Sequence, residues 1–202
     1  MDDWSPPSLE LRLQDGVRRC PNVPVVSYPS EGNDFCIRIE DGSYCFAHCN
    51  ECIWGLLSLF PPSGDFYAAG GGNGFVSLSL QKDGIASDLI ELESGVRNAR
   101  QRGLALIIDA ALEDSGFASK RLPAAVAFDG IEDFDDGISF FRTVHRTLRS
   151  EGRFDDTVPA GPGLEYNDDV YAGHYRRHSC KSITDRLRAV CFEVEITSCF
   201  FA

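Results

Sequence analysis

The sequence predicts an α/β protein built on a doubly wound, mostly parallel sheet with helices on both faces. Three observations support this. Short apolar runs alternate with helical patterns from about residue 65 to residue 160, the order that generates strand–helix–strand units. A glycine-rich turn, Gly70-Gly71-Gly72-Asn73-Gly74, follows directly on the apolar run Phe66-Tyr67-Ala68-Ala69. Glu91 ends a second apolar run, seventeen positions after Gly74. Together these are the marks of a Rossmann-like unit. The glycines let the main chain take positive φ and approach a ligand closely, and the acid at the second strand tip is placed to accept hydrogen bonds from ribose hydroxyls.

The elements follow in order. Pro6-Pro7, Pro21, Pro24 and Pro29 exclude long helices from the first 35 residues, which are expected to be loop-rich with a short strand at Val23–Tyr28. Alternation at Phe35-Cys36-Ile37-Arg38-Ile39 points to a strand. A helix is expected from about Ala47 to Phe60, ended by Pro61-Pro62-Ser63-Gly64. Strands are then predicted at 65–69, 87–91, 104–108, 124–129 and 152–158, and helices at 73–83, 94–102 and 136–149. The last helix places Ile138, Phe141, Val144 and Leu148 three or four positions apart, as one buried face requires. Residues 160–180, dense in Tyr, His and Arg, are expected to form a loop that acts as a lid. A helix at 181–189 and an alternating strand from Phe192 to Phe201 complete the chain. The division drawn from this pattern is a loop-rich N-terminal extension over 1–46 and a Rossmann-like domain over 47–202.

Bulk composition narrows the partners. The formal net charge of −12 over 202 residues disfavours an extended nucleic-acid or anionic-membrane surface, because phosphate binding needs concentrated positive charge. No apolar run approaches the roughly 20 residues that span a bilayer. Met1-Asp2-Asp3-Trp4 lacks the basic start and apolar core of a signal peptide, so a cytoplasmic location is the default expectation. There are eight cysteines, read as free thiols in a chain of this kind. Cys45, Cys49 and Cys52 with His48 have a spacing that suits a metal ion. The same segment reads as an amphipathic helix with its cysteines buried, and no metal ligand is assigned.

Taken together, these motifs resemble the class I S-adenosylmethionine-dependent methyltransferases, in the subgroup acting on small molecules, from about Tyr28 to Ala202. Gly70 to Gly74 is similar to that family's first motif, and Glu91 stands where its ribose-binding acid stands. Ala111-Leu112-Glu113-Asp114 resembles the stretch beside the adenine. Phe128-Asp129-Gly130-Ile131-Glu132-Asp133 resembles the fourth-strand motif, and His145 to Arg153 its helix-turn-strand signature. Asp169-Val170-Tyr171-Ala172-Gly173-His174-Tyr175-Arg176-Arg177 is similar to the segment after the fifth strand in one subgroup. The chain departs from the pattern at Ala68, where an acid is usual, and at Asp133, where His is usual. Ser150-Glu151 replaces Pro-Gly, Asp155-Asp156 lies in the fifth strand, and the last edge strand has no candidate.

The resemblance implies S-adenosylmethionine as cofactor and a small-molecule acceptor. It implies that Gly70, Gly71, Gly72, Asn73, Gly74, Glu91, Leu112, Glu113 and Asp129 hold the cofactor. Glu132, Tyr171 and Arg176 would shape the acceptor pocket, and His174 would take a proton where the acceptor must lose one. Two alternatives remain: a binding protein of the same fold with weakened or lost turnover, and an NAD-dependent oxidoreductase, which also uses a glycine turn and a strand-two acid. Oligomeric state is left open.

Overall fold

The structure is a computed structural model and describes residues 11–21, 30–164 and 166–200. Two short strands open it, β1 (Arg12–Gln14) and β2 (Val17–Arg19), followed by helices α1 (Ser30–Ile39) and α2 (Tyr44–Leu59). The strand–helix alternation then runs β3 (Phe66–Ala69), α3 (Phe75–Lys82), β4 (Ser87–Glu91), α4 (Glu93–Arg102), β5 (Ile107–Asp109), β6 (Leu122–Phe128), α5 (Gly137–Thr147) and β7 (Leu148–Thr157). Helices α6 (Asn167–Ala172) and α7 (Cys180–Ala189) end the regular structure.

The seven strands form one sheet in the order β1-β2-β5-β4-β3-β6-β7. Every pairing is parallel except β1 with β2. Alternate residues of the central strands therefore face two apolar layers. Tyr67, Ala69, Ile90, Ala125 and Ala127 meet Phe141 and Val144 of α5 and Ile183 and Leu187 of α7. Phe66, Ala68, Leu89, Ala124 and Val126 meet Ile53 and Leu57 of α2, Leu80 of α3, and Val96 and Ala99 of α4. The expected doubly wound architecture is thus observed, with the strand order reversing at β3, where β4 lies on one side and β6 on the other.

Four local expectations are corrected. Residues 35–39 belong to α1 and not to a strand. Five residues of alternation also fit a helix, and here Asp34 and Glu40 anchor the segment to Arg97 and Arg102 of α4. The N-terminal segment also contains a hairpin, closed by Asp15 and Gly16 with φ of 52° and 80°. That pair forms the two-residue turn whose twist matches antiparallel strands. Val17 is fully buried, and β2 extends the sheet beyond β5. Within the expected loop of 160–180, α6 and a 3₁₀ turn at Pro162–Leu164 are present. Finally, residues 192–200 form no strand. Phe192 and Val194 instead pack against the core from an extended segment. The expected strand at Val23–Tyr28 lies outside the described residues, as does Phe201.

Among the described residues β7 is an edge strand, which accounts for its two carboxylates. Asp155 is buried, yet it accepts from Arg153 Nε at 3.0 Å on the same strand. Burial, followed by the neighbouring Asp155, pushes Asp156 up to about 7. A strand with neighbours on both sides and apolar layers above and below would not tolerate that pair. No helix among the described residues is long and apolar enough to cross a membrane.

Candidate functional site

The glycine turn sits at the carboxyl end of β3, beside the reversal in strand order, where open α/β sheets place their ligand crevice. Gly70, Gly72 and Gly74 have φ of 70°, 53° and 71°, values that other residues adopt at a cost. The Gly70 amide donates to Ile90 O at 2.9 Å, and the Gly74 amide donates to Gly71 O at 3.0 Å. The turn is therefore tied to β4 and leads directly into α3.

Glu91 closes the other side. Its Oε2 accepts from the Gly72 amide at 2.6 Å, and its Oε1 accepts from the Leu92 amide at 2.7 Å. Each oxygen keeps acceptor capacity for a further donor. Burial pushes the Glu91 carboxyl up to about 7 against those two hydrogen bonds, and Asp133 and Asp109 add to the rise. The carboxylate fits only because residue 95 is glycine. A Cβ there would lie 2.5 Å from Glu91 Cγ and 2.8 Å from Gly72 O.

Asn73 points away from this face. Its side-chain amide donates to Asn33 O and Glu40 Oε1, both at 3.0 Å, and its oxygen accepts from Asn98 at 2.8 Å. Glu40 also pairs with Arg102, and Asn33 donates to Ser94 Oγ at 3.1 Å. This buried polar network fastens α1 to α4 behind the turn. Asn33, Glu40, Asn98 and Arg102 were not singled out from the sequence, because their partners lie 25 to 62 positions away.

The remaining expected cofactor residues are spread along the rim. Leu112 is buried in the core beneath α5, and its carbonyl accepts from Ser115 Oγ at 2.6 Å. Glu113 is exposed. At the tip of β5, Asp109 is buried and paired with Arg19 of the N-terminal hairpin. Asp129 has φ of 48°; its amide donates to Thr157 O at 3.0 Å, and its Oδ1 accepts from Thr157 Oγ1 at 3.2 Å. Gly130 lies against the turn: a Cβ at this position would sit 3.5 Å from Gly70 O. This contact brings the β6 loop beside the glycine turn.

That loop leads into an acidic cluster facing His174. Glu132 has 0% exposure, and neither carboxylate oxygen accepts a hydrogen bond among the described residues. His174 Nε2 lies 3.8 Å from both Glu132 Oε1 and Asp133 Oδ1, and His174 Nδ1 is 3.1 Å from Asp169 Oδ1. Burial and the nearby Asp129 hold Glu132 well above the usual carboxylate range. Burial also lifts Asp133 to about 6, while His174 pulls it back. Asp169 behaves in the opposite way. Burial works to raise it, but the Tyr166 amide, Arg177 and His174 outweigh that and hold it down to about 2.

Of the expected acceptor residues, the fold brings Glu132 and His174 together. Arg176 reaches the Phe134 carbonyl at 3.2 Å and Asp135 at 3.3 Å, at the edge of the same loop. Tyr171 is 66% exposed on α6. Asp133, noted in the sequence only as a departure from His, proves to be part of the cluster.

Away from this crevice, a cleft of about 320 Å³ opens between α2 and α3 and includes Trp54, Phe75 and Lys82. None of its lining residues belongs to the expected site. On α2, Cys52 Sγ is 3.6 Å from His48 Nε2. Cys45 is exposed and Cys49 and Cys52 are half-buried, so the cysteine face is less enclosed than expected. Burial pushes the Cys49 thiol up to about 12. No group of three or more His, Cys, Asp or Glu side chains among the described residues is arranged to hold a metal ion.

No family model and no curated protein matches the sequence. Solved structures do match the fold. A SAM-dependent methyltransferase from Thermotoga maritima, described as a possible histamine N-methyltransferase, superposes with a TM-score of 0.63 at 20% identity, covering 81% of this chain and 77% of that one. The fold is that of the class I S-adenosylmethionine-dependent methyltransferases. The phosphoethanolamine N-methyltransferase 2 of Haemonchus contortus, solved with S-adenosyl-L-methionine, shares this methyltransferase fold with a TM-score of 0.62 at 16% identity, covering 82% of this chain and 42% of that one. The [4+2]-cyclase SpnF shares it too, with a TM-score of 0.65 at 14% identity over 87% of this chain and 76% of its own. The methyltransferase fold therefore also occurs in a protein whose named reaction is a cyclisation.

Proposed function

We propose that this chain binds S-adenosylmethionine and transfers its methyl group to a small-molecule acceptor. The observation that carries the reading is the Glu91 carboxylate held on the Gly72 amide, inside the first strand–helix turn of a methyltransferase fold. When bound, the cofactor supplies an activated methyl carbon on a sulfonium. The chain's own residues supply position and electrostatics.

In this proposal, the main chain of Gly70, Gly71, Gly72 and Gly74 lets the cofactor approach closely, because no side chain stands in its way. Asn73 acts through its backbone, since its side chain braces α1 and α4. Glu91 accepts from the ribose hydroxyls through its remaining lone pairs. Leu112 closes the adenine side from the core, Glu113 meets the adenine edge, and Asp129 faces the amine end. His174 takes a proton from the acceptor through Nε2, with Nδ1 fixed by Asp169. Glu132, Tyr171 and Arg176 bound the acceptor side. The division of the chain into residues 1–46 and 47–202 and a cytoplasmic location belong to the same proposal, as does a surface that engages neither nucleic acid nor membrane.

A second reading is supported by Ala68. It is buried at the position where an acid is usual, and a methyl group cannot accept a hydrogen bond. That favours a protein that keeps nucleoside affinity with little turnover. Calorimetry with S-adenosylmethionine, S-adenosylhomocysteine and NAD separates these readings when repeated on Glu91→Ala. Binding of the first two that disappears in the variant supports the proposal. Heat with NAD alone overturns it in favour of an oxidoreductase. Binding without methyl transfer to a panel of small amines, phenols and carboxylic acids supports the second reading.

A further inference from the structure

We propose that Cys180 and Cys199 form an oxidisable dithiol, a modification site that fastens the C-terminal segment to the start of α7. The two sulfur atoms lie 3.4 Å apart although the residues are nineteen positions apart in sequence. Both residues are exposed, so a small oxidant reaches them without unfolding the protein. A disulfide has sulfurs about 2 Å apart, a closure that two adjacent side-chain rotations and a small shift of the segment provide.

The approach is set by tertiary structure. After α7 the chain turns back and runs antiparallel to the helix. Phe192 packs on Phe154 with ring centroids 5.6 Å apart, and on His145 at 5.2 Å. Glu195 accepts from Arg153 at 2.9 Å. Thr197 Oγ1 meets Thr184 Oγ1 at 2.9 Å, one helical turn beyond Cys180 and two residues before Cys199. The thiol contact is thus the last of a series in a single register.

The oxidant class is a low-molecular-weight disulfide such as oxidised glutathione. The Cys180 sulfur, giving up its proton, attacks one glutathione sulfur, breaks the S–S bond and releases one glutathione thiol. Cys199 then attacks the Cys180 sulfur of the mixed disulfide, gives up its own proton and releases the second thiol. Two protein thiols are oxidised by two electrons, and one disulfide is reduced to two thiols. The Gly161 amide donates to His178 O at 3.0 Å, so the bond forms two residues from where the 160–178 segment is anchored. The proposal stands independently of the cofactor assignment.

The full-length chain is treated with oxidised glutathione, and mass spectrometry follows all eight cysteines. The expected result is a Cys180–Cys199 crosslink that is reversed by dithiothreitol. It should form about tenfold or more faster than mixed disulfides at the exposed Cys45 and Cys191, because the second thiol is already in place. Amide exchange across residues 192–199 should slow in the oxidised form. In Cys180→Ser or Cys199→Ser, the remaining thiol should accumulate a stable glutathione adduct. Independent glutathionylation of both residues in the unsubstituted protein without a crosslink, or reaction no faster than at Cys45 and Cys191, overturns the proposal.

Discussion

The Glu91 carboxylate accepts the Gly72 amide at 2.6 Å, joining the tip of the second central strand to the turn after the first. One consequence concerns protons. Burial pushes Glu91 up to about 7, whereas ribose hydroxyls donate to the ionised form. Ligand binding should therefore release a proton. Affinity for S-adenosylhomocysteine should rise with pH up to about 7 and then level off. Calorimetry in buffers of different ionisation enthalpy measures that proton, and Glu91→Gln should abolish both the release and the rise.

Gly95→Ala tests the space beneath the carboxylate. At an ordinary helix position this change stabilises by up to about 1 kcal/mol. Here the new Cβ would meet Glu91 Cγ at 2.5 Å and the backbone oxygen of Gly72 at 2.8 Å. The expected outcome is a loss of about 1–3 kcal/mol in stability, the usual range for overpacking, with S-adenosylhomocysteine binding weakened about tenfold or more. Urea unfolding and calorimetry read the two effects.

The brace behind the turn is a buried ion pair between Glu40 and Arg102, with side chains 8% and 7% exposed. Arg102→Ala leaves Glu40 buried without its cation, a change that costs about 3 kcal/mol or more in comparable pairs. Urea unfolding should show that loss. The double variant with Glu40→Leu should recover part of it, since an apolar replacement leaves no stranded charge.

Asp169 is the hub of the segment before α7. It accepts from the Tyr166 amide at 2.7 Å, from Arg177 Nε at 3.0 Å and from His174 Nδ1 at 3.1 Å. Its lowered pKa has a defined sign. The stabilisation is present above the ordinary aspartate range and is lost as pH falls towards about 2. Asp169→Ala should remove it at neutral pH, and limited trypsin digestion should then cut after Arg176 and Arg177 about tenfold faster than in the parent.

Much of this architecture was legible in local pattern. Apolar runs of strand length, the helical spacing of Phe141 and Val144, and the glycines before α3 are properties of adjacent residues, and they predict the order of β3 through α5. Asp15-Gly16 was an equally local hairpin signal, hidden within a segment whose prolines suggested loop. Glu91 and Asp129 could be placed at strand ends from the same pattern, whereas Glu132, in the 3₁₀ turn Ile131–Asp133 beyond β6, was reached only through the family resemblance.

What those carboxylates touch was decided by the assembled sheet. Glu91 meets Gly72 because β3 and β4 pair in register with Ala69 opposite Ile90, and Gly95 leaves room for it. The helix over 35–39 depends on Asp34 and Glu40 finding Arg97 and Arg102, more than 60 positions away. His174 meets Glu132 only when the segment after β7 folds back over the β6 loop. Local sequence determines backbone preference through short-range sterics and side-chain periodicity. Which polar groups become partners depends on long-range packing, because a buried charge is stable only where the fold delivers a counterpart.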